Sequence, residues 1–287
     1  MTFNEILLRA TREHWATGHF NASESDQFRV ICEAAQEMRT CAIIGTSEGE
    51  ARHIGYLEAA ALRDAFRKEF NIPVFLNSDH HKSVESAKTA IDAGYDSIHI
   101  DLSAKPFDEN VAGTKEIVLY ARAKSPNISV EGELGYLRGE SKIQKEKIAV
   151  SAGDYTDPDE AQKFVRATGI DRLAIAVGNI HGISLDEPDL DIERIRAIRH
   201  TLPEEVALVL HAASGIPDNQ ITAAIEAGIA NVHINTDIRV AFVGALRDSL
   251  RESADEVVMY KLDENAKSAM KEVVKNRLTL FGAANRI

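Results

Sequence analysis

The chain has 287 residues, of which 44% are hydrophobic and 27% are charged, and its formal net charge is −12. These values are typical of a soluble globular protein and suit either one large α/β barrel or two smaller domains. The negative charge argues against nucleic acid as a partner, because phosphate backbones are bound by basic surfaces. A small phosphorylated substrate remains compatible with it, since backbone amides in a single pocket can bind a phosphate.

The cysteines and the apolar segments bear on cellular location. Cys32 and Cys41 are too few for a disulfide framework, which favours a reducing compartment. The N-terminal residues 1–15 lack the apolar core and cleavage site of a signal peptide. No stretch approaches the roughly 18 uninterrupted apolar residues of a membrane span. The sequence therefore predicts a cytoplasmic protein that does not cross a membrane.

Short β-rich runs alternate with helical segments along the whole chain. The runs are GHFNA (18–22), TCAIIGTS (40–47), PVFLNSD (73–79), DSIHIDL (96–102), NISVEGEL (127–134), RLAIAVGN (172–179), VALVLHA (206–212) and NVHINTD (231–237). Several runs are almost continuously apolar, as in parallel strands that are buried on both faces. Helical start and stop residues mark segments 23–38, 83–94, 156–169, 216–228 and 266–282.

Eight β/α units without a linker predict an α/β fold, a (β/α)8 TIM barrel that forms one domain over residues 1–287. We expect the C-terminal helical segment 266–282 to extend this domain and to pack against the barrel or a partner subunit. An open, doubly wound sheet is the alternative fold. Residues 136–157 form an unusually long connection without strong periodicity, and loops of this length are usually functional or disordered. This segment is a candidate lid.

Polar residues interrupt the apolar runs at their C-terminal ends. They are Asn21, Ser47, Asp79, His80, Asp101, Glu133, His181, His211 and Asn235. In a barrel these strand ends converge on one mouth, where active sites form. A lone histidine is more often a surface or hydrogen-bonded residue than a metal ligand, but three at corresponding strand ends favour a metal site. Three protein ligands with an open position are typical of catalytic zinc.

Two carboxylates accompany these histidines. Asp101 and Glu133 are predicted either to complete an alternate coordination or to orient the imidazoles. From their alternation along the run, we expect Glu131 and Glu133 to face opposite ways, so that only one of them reaches the mouth.

Three segments predict a phosphate pocket. Small residues in VGNIHG (177–182) and HAASG (211–215) let backbone amides approach an anion, and INTD (234–237) precedes a helix. Glycine-rich turns are common in barrels, so these segments alone are weak evidence for a phosphate site. Their position beside the predicted metal ligands strengthens that evidence.

At these residues the chain resembles the class II ketose-bisphosphate aldolases, the zinc-dependent family of fructose- and tagatose-bisphosphate aldolases. The matching motifs are HFN (19–21), IIGTSEGEAR (43–52), DHH (79–81), AGYDSIHID (93–101), PFDENV (106–111), VEGELG (130–135), VGNIHG, LHAASGIPD (210–218), INTDIRVAF (234–242) and KSAMKEVVKNRLTLFG (267–282). The resemblance covers almost the whole chain, with the motifs in order and at suitable spacing.

The resemblance implies a role for each matching residue. His80, His181 and His211 would bind the catalytic Zn²⁺, with another divalent metal as the alternative. Asp79 would be the catalytic acid/base, and Asp101 and Glu133 would belong to a second or displaced metal site. Asn21 and Ser47 would lie on the substrate side. The segments that bind the phosphorylated triose, with a monovalent cation nearby, would supply Gly182, Ala212, Ala213, Ser214, Asn235 and Thr236. A homodimer or homotetramer is also implied.

The implied reaction is reversible aldol cleavage of a ketose phosphate, such as fructose 1,6-bisphosphate, to dihydroxyacetone phosphate and an aldehyde such as glyceraldehyde 3-phosphate. The metal would act as a Lewis acid. The alternative aldolase chemistry needs a lysine Schiff base, and none of the eight runs contains lysine. Three readings stay open beside it: a zinc hydrolase, a family member acting on another sugar phosphate, and a non-catalytic paralogue that binds sugar phosphate or metal.

Three positions depart from the family pattern. Asn77 stands where a histidine is common, and Ala212 stands where a glycine is usual. His233 replaces an asparagine near the triose and is interpreted as a substrate contact. A fourth metal ligand and a repacked residue are the other interpretations of His233.

Overall fold

The computed structural model describes residues 1–145, 148, 150–183 and 189–287. Within these ranges there are ten strands. In chain order they are β1 (Thr17–Asn21), β2 (Ala42–Ser47), β3 (Val74–His81), β4 (Ser97–Ile100), β5 (Ser129–Leu134), β6 (Gly139–Ile143), β7 (Arg172–Ile175), β8 (His181–Ile183), β9 (Ala207–Leu210) and β10 (Ile229–Ile234).

Twelve α-helices are described in the same ranges. They are α1 (Phe3–Glu13), α2 (Ser25–Glu37), α3 (Glu48–Ile54), α4 (Tyr56–Phe70), α5 (Val84–Asp92), α6 (Phe107–Lys124), α7 (Pro158–Thr168), α8 (Ile192–Thr201), α9 (Asp218–Glu226), α10 (Thr236–Glu252), α11 (Met259–Leu262) and α12 (Glu264–Leu280). A short 3₁₀ helix spans Ala152–Asp154.

Eight parallel strands close into a barrel in the order β1-β2-β3-β4-β5-β7-β9-β10, with β10 paired back to β1. The predicted (β/α)8 fold is confirmed, and the doubly wound alternative is wrong because the sheet has no open edge. The strand bounds differ from those of the runs by a few residues, and two differences at C-terminal ends affect the site. Strand β7 ends at Ile175, and β10 ends at Ile234 because Thr236 already begins α10.

At α5 and α7 the helix signals of the sequence correspond to side-chain caps, by Ser83 and Asp157 respectively. Helix α7 begins after Asp157, whose carboxylate accepts hydrogen bonds from the amides of Asp159 and Glu160. Pro158 occupies its first turn, and Gly169 ends it in the left-handed conformation at φ 71°. These local signals fix where the helix between β5 and β7 starts and stops.

Two helices outside the β/α alternation pack against the barrel. At the end opposite the mouth, Phe3 of α1 stacks on Phe75 of β3, with ring centroids 5.0 Å apart. Helix α12 packs on α2 and α10 and buries Ala266, Met270, Val274 and Leu278. Within this chain, segment 266–282 thus packs on helices that surround the barrel.

The interior of the barrel is polar rather than filled with branched apolar side chains, which dominate most barrels of this type. Residues two apart on a strand point to the same side, so the inward residues form layers. One layer holds His19, Asn77, His99, Glu131 and His233, all at most 5% exposed. The next layer down includes Ser97, Ser129, Arg172 and Asn231, each fully buried.

A buried ion pair joins these two layers. Arg172 pairs with Glu131 and also donates hydrogen bonds to Ser129 Oγ (3.2 Å) and Asn77 Oδ1 (3.1 Å). The expectation that Glu131 and Glu133 face opposite ways is wrong, since residues two apart on a strand share a face. Both carboxylates point inwards, but Glu133 lines the cavity at the mouth and Glu131 lies one layer deeper.

The long connection 136–157 contains the strand β6, which the sequence does not predict. Strand β6 pairs with β8 in a separate two-stranded parallel sheet. Arg138 holds the connection through two hydrogen bonds of 2.8 Å to the Asp154 carboxylate. Residues 146, 147 and 149 lie outside the described residues. In the described part of the chain, no helix is both long enough and apolar enough to span a bilayer.

Candidate active site

A bulge at the end of β3 brings two consecutive residues, Asp79 and His80, to the barrel mouth. Consecutive strand residues normally face opposite sides of a sheet. Here the register between β3 and β4 shifts between Ser78 and His81, and His80 adopts a left-handed φ of 48°. Bulges of this kind re-aim side chains, and both Asp79 and His80 line the mouth cavity.

The three predicted metal ligands lie close together at the barrel mouth, although one of them belongs to an element that the sequence does not predict. The ring of His80 lies 4.4 Å from that of His211 and 4.9 Å from that of His181, centroid to centroid. His211 directly follows β9, as predicted. His181 does not end a barrel strand: β7 stops at Ile175, and His181 begins β8 above the mouth.

Carboxylates orient two of these imidazoles. His211 Nε2 lies 2.6 Å from Glu131 Oε1, and His80 Nδ1 lies 2.8 Å from Asp101 Oδ2. A carboxylate on one ring nitrogen leaves the other nitrogen available to a metal ion, the usual arrangement of histidine ligands. Among the described residues, ligand atoms within 4.8 Å of one another include those of His80 and His211 but not His181.

Electrostatics divides the histidines into neutral and protonated groups. Burial, followed by the nearby His80, lowers the pKa of His181 to about 3, and burial also holds the pKa of His211 well below its usual range. Burial would lower the pKa of His80 as well, but the surrounding carboxylates, led by Asp79, outweigh it and raise the pKa to about 9. His181 and His211 are thus in the neutral form that binds metals.

Asp79 is buried between two side chains that fix its carboxylate. Oδ2 accepts a hydrogen bond of 2.9 Å from Asn21 Nδ2, and Oδ1 lies 3.4 Å from His233 Nδ1. Burial would raise the pKa of Asp79, yet His80 and His233 outweigh it and hold the pKa well below its usual range. The group is therefore a carboxylate, able to accept a proton.

His99 is a candidate ligand that the sequence reasoning missed. Ligand atoms of His80, His99, Asp101 and Glu133 lie within 4.8 Å of one another. His99 Nε2 lies 3.2 Å from Glu133 Oε2. The signal was present in the sequence, because His99 stands two residues before Asp101 and must share its inward face.

The predicted phosphate segments surround a small cavity at the start of α10. Its lining includes Gly182, Ala212, Ser214, His233, Asn235 and Thr236. The side chain of Ser214 accepts a hydrogen bond from the amide of Asp237 at 3.2 Å. Ala213 is absent from this lining: its side chain is fully buried and its amide donates to the His233 carbonyl at 3.3 Å.

A wider cavity of about 470 Å³ opens beside it. Ser47, Asp101, Glu133 and His181 line this cavity, together with two cations that the sequence reasoning did not select, Lys82 and Arg239. Lys82 pairs with Asp101, and Arg239 pairs with Glu50. Each cation is therefore paired with a carboxylate, and each remains exposed to solvent, Lys82 more than Arg239.

Comparison with known proteins agrees with this geometry. The family model described as fructose-bisphosphate aldolase class-II matches residues 1–286. A fructose-bisphosphate aldolase from Staphylococcus aureus (strain Mu50 / ATCC 700699) is 37% identical over 289 residues, which cover 100% of this chain and 98% of that protein.

Solved structures agree in fold. The YdjI aldolase from Escherichia coli K12 has a TM-score of 0.81 and 30% identity, covering 99% of this chain and 98% of that one. A candidate fructose-1,6-bisphosphate aldolase from Coccidioides immitis has a TM-score of 0.85 and 28% identity, covering 99% and 96% of the two chains. The chain therefore belongs to the class II fructose-bisphosphate aldolases, a family of lyases.

Proposed function

We propose that the protein cleaves fructose 1,6-bisphosphate reversibly to dihydroxyacetone phosphate and glyceraldehyde 3-phosphate. The observation that carries the proposal is the buried Asp79 carboxylate, oriented by Asn21 and adjacent to His80 at the barrel mouth. A carboxylate with a lowered pKa beside a group of candidate metal ligands suits proton removal from a substrate hydroxyl.

The residues at the mouth fit a divalent metal, and we propose Zn²⁺ held by His80, His181 and His211. Carboxylates on one nitrogen of His80 and of His211 support this assignment, as does the neutral state of His181 and His211. Asp101 and Glu133, with His99, offer an alternate set of ligands. When bound, the ion supplies Lewis acidity that stabilises the negative charge left on carbon by cleavage.

The chain's own groups would perform the remaining tasks. Asp79 accepts the proton of the C4 hydroxyl during cleavage and returns it during condensation. Asn21 holds Asp79, and Ser47 faces the substrate cavity. At the first turn of α10, the backbone amides near Asn235 and Thr236, with Ser214, Gly182 and Ala212 around them, form the triose phosphate pocket. A monovalent cation near this pocket is part of the same proposal.

Lys82 does not offer the Schiff-base route. Burial would lower its pKa, but Asp101 outweighs burial and raises the pKa, so its amine stays protonated. A Schiff-base lysine needs a lowered pKa to act as a nucleophile.

The altered residues around Asp79 support a second candidate substrate class, another ketose phosphate. His233 lies beside Asp79 and Ala212 lines the phosphate cavity, so both departures touch the substrate region. For His233 itself, the contact with Asp79 favours a repacked, supporting role over the substrate contact inferred from the sequence.

A panel of substrates tests the proposal. Fructose 1,6-bisphosphate, tagatose 1,6-bisphosphate and related ketose phosphates are supplied, and triose phosphate is detected by a coupled assay with and without a chelator. We expect cleavage of fructose 1,6-bisphosphate that the chelator abolishes. Cleavage confined to another ketose would favour the second candidate. Metal binding without any cleavage would favour a non-catalytic paralogue, and borohydride trapping would refute the metal route.

We further propose a cytoplasmic homodimer or homotetramer. Cys32 and Cys41 are free and buried, as suits a reducing compartment. Helix α10 carries an exposed apolar stripe of Val240, Val243 and Leu250, which are 43%, 39% and 50% exposed. A stripe of this kind suits contact with another copy of the chain.

A further inference from the structure

We propose that Glu50 is a positioning residue that holds Asn21 and, through it, the carboxylate of Asp79 in place for the reaction. The inference rests on the proposed role of Asp79 as acid/base. Glu50 is 7% exposed and lies in the first turn of α3, directly after β2. The described lining of the two mouth cavities includes Asn21 and Asp79 but not Glu50. Glu50 therefore acts through a neighbour and not by contact with the substrate.

One amide nitrogen joins the two carboxylates. Asn21 Nδ2 donates hydrogen bonds to Glu50 Oε2 and to Asp79 Oδ2, each at 2.9 Å. An amide nitrogen carries two hydrogen atoms, so both bonds can form at once. Because a carboxylate only accepts hydrogen bonds, the nitrogen of the Asn21 amide, and not its oxygen, must face Glu50. Glu50 thus fixes which end of the Asn21 amide is presented to Asp79.

The carboxylate of Glu50 is itself held at both oxygens. The backbone amide of Ser47 donates to Oε2 at 2.8 Å, and the Arg239 guanidinium pairs with Oε1. Arg239 also donates to the carbonyl oxygen of Ser141 in β6 at 3.4 Å. Because β2, α10 and β6 all contribute to this arrangement, the oxygen that faces Asn21 has little freedom to move.

The pair with Arg239 also allows two carboxylates to lie near each other. Glu50 Oε2 and Asp79 Oδ2 are at the same distance from one nitrogen, and so within twice that distance of each other. Like charges this close repel. Arg239 places a positive charge on the other oxygen of Glu50 and offsets the repulsion. Asp79 is therefore oriented without an uncompensated second charge beside it.

A purely structural alternative is that Glu50 only caps α3. Ser47 and Glu50 form a capping box, in which each side chain accepts a hydrogen bond from the backbone amide of the other residue. The same motif occurs at α1, where Thr2 and Glu5 form a capping box at the end of the barrel opposite the mouth. A cap needs no contact with Asn21, so the two roles predict different results.

Kinetics of the metal-loaded protein separates the two roles. Glu50→Leu removes the acceptor for Asn21, so we expect kcat to fall about 10- to 100-fold because Asp79 loses its fixed orientation, with KM and metal content little changed. Glu50→Gln keeps one oxygen for Asn21 and should recover most of that loss. Glu5→Leu, the matched control, should lower stability and leave kcat unchanged. Equal kcat in Glu50→Leu and Glu5→Leu would overturn the proposal.

A double-variant cycle tests whether Glu50 acts through Asn21. We expect Asn21→Ala to lower kcat, and the addition of Glu50→Leu to lower it little further, since the link to Asp79 is already broken. Losses that multiply, as they do for independent residues, would refute the positioning role.

The same four proteins test the link without any measurement of activity. In urea unfolding of the metal-free proteins, we expect the double variant to lose less stability than the two single variants together, because both remove the same hydrogen bond. Additive losses would refute the link whatever the activity of the protein. Coupled losses in a protein that cleaves no ketose phosphate would instead contradict the proposed function.

Discussion

Two residues at the active site adopt left-handed backbone conformations that usually favour glycine. They are His80, at φ 48°, and Ala212, at φ 58°, which directly follows the metal ligand candidate His211. A non-glycine residue in this conformation costs about 1–2 kcal/mol. Such strain is typical of functional sites, where the surrounding structure holds the residue in place. At Ala212, where the family pattern usually has glycine, the strain can be removed by mutation.

Ala212→Gly is expected to raise the free energy of unfolding by about 0.5–1 kcal/mol, because glycine adopts positive φ without steric cost. Ala213→Gly is the matched control. Its φ is not positive and its methyl group is buried, so we expect it to lower stability. Urea denaturation of the metal-free variants measures both. If Ala212→Gly lost as much stability as the control, the proposed backbone strain at Ala212 would be refuted.

The metal and proton roles at the mouth can be separated by two substitutions. His211→Ala should lose both bound metal and activity, because it removes a proposed ligand. Asp79→Ala should keep its metal and lose turnover by about 10²–10⁴-fold, the range of general acid–base catalysis. Metal analysis by mass spectrometry beside the aldolase assay gives the comparison. Equal metal loss in the two variants would contradict the role assigned to Asp79.

At the residue scale, the sequence predicts the mouth better than the layer beneath it. Asp79, His80 and His211 were found because each interrupts an apolar run at its end. His19, His99 and Glu131 stand inside their runs and give no such interruption, so they were missed or misjudged. Each precedes a mouth residue by two positions, and the period of a strand would have identified them.

Among the elements, the barrel strands were predictable and the small sheet at the mouth was not. The barrel runs are apolar because both faces of a parallel sheet are buried. Strands β6 and β8 are short, and β6 is mostly exposed, so neither shows an apolar pattern. His181 was consequently assigned to a barrel strand end when it lies in β8. Local composition could not reveal this, because the paired residues of β6 and β8 are 40 and 42 positions apart in sequence and meet only in the folded chain.

For the ion pair between Arg172 of β7 and Glu131 of β5, removal of the arginine alone should destabilise the protein more than replacement of both partners. Arg172→Met leaves the Glu131 carboxylate buried without its cation, so we expect a loss of about 3–5 kcal/mol in the free energy of unfolding. The double variant Arg172→Met/Glu131→Gln should recover part of this loss, because no uncompensated charge remains. Chemical denaturation measures both. A double variant no more stable than Arg172→Met would contradict this explanation.

For the whole molecule, metal binding is expected to be coupled to pH through His80. The pKa of His80, raised to about 9 from an ordinary 6.5, means that the ring must release a proton before it binds an ion. Metal affinity should therefore rise as pH increases towards about 9 and then level off. Calorimetric titration of the metal ion into metal-free protein, in buffers of different ionisation enthalpy, measures the metal affinity and the number of protons released. An affinity independent of pH over this interval would contradict the coupling.

The apolar stripe on α10 gives a test of assembly. The double variant Val243→Glu/Leu250→Lys should shift the protein towards the monomer mass of 31.5 kDa, measured by light scattering after size-exclusion chromatography. Asp248→Lys, an exposed substitution on the same helix outside the stripe, is the control and should leave the mass unchanged. A wild-type protein that is already monomeric would refute the proposed oligomer.

The polar interior of the barrel also bears on how stability depends on temperature. Exposure of apolar surface on unfolding raises the heat capacity, whereas exposure of polar surface lowers it. Unfolding of this barrel exposes the buried imidazole, amide, carboxylate and guanidinium groups of His19, Asn77, Glu131 and Arg172. The heat-capacity increment should therefore fall at or below the low end of the usual range, about 12 cal/mol/K per residue. The stability curve would be correspondingly broad, so the protein would lose stability more gradually on cooling and on warming than a barrel with an apolar interior.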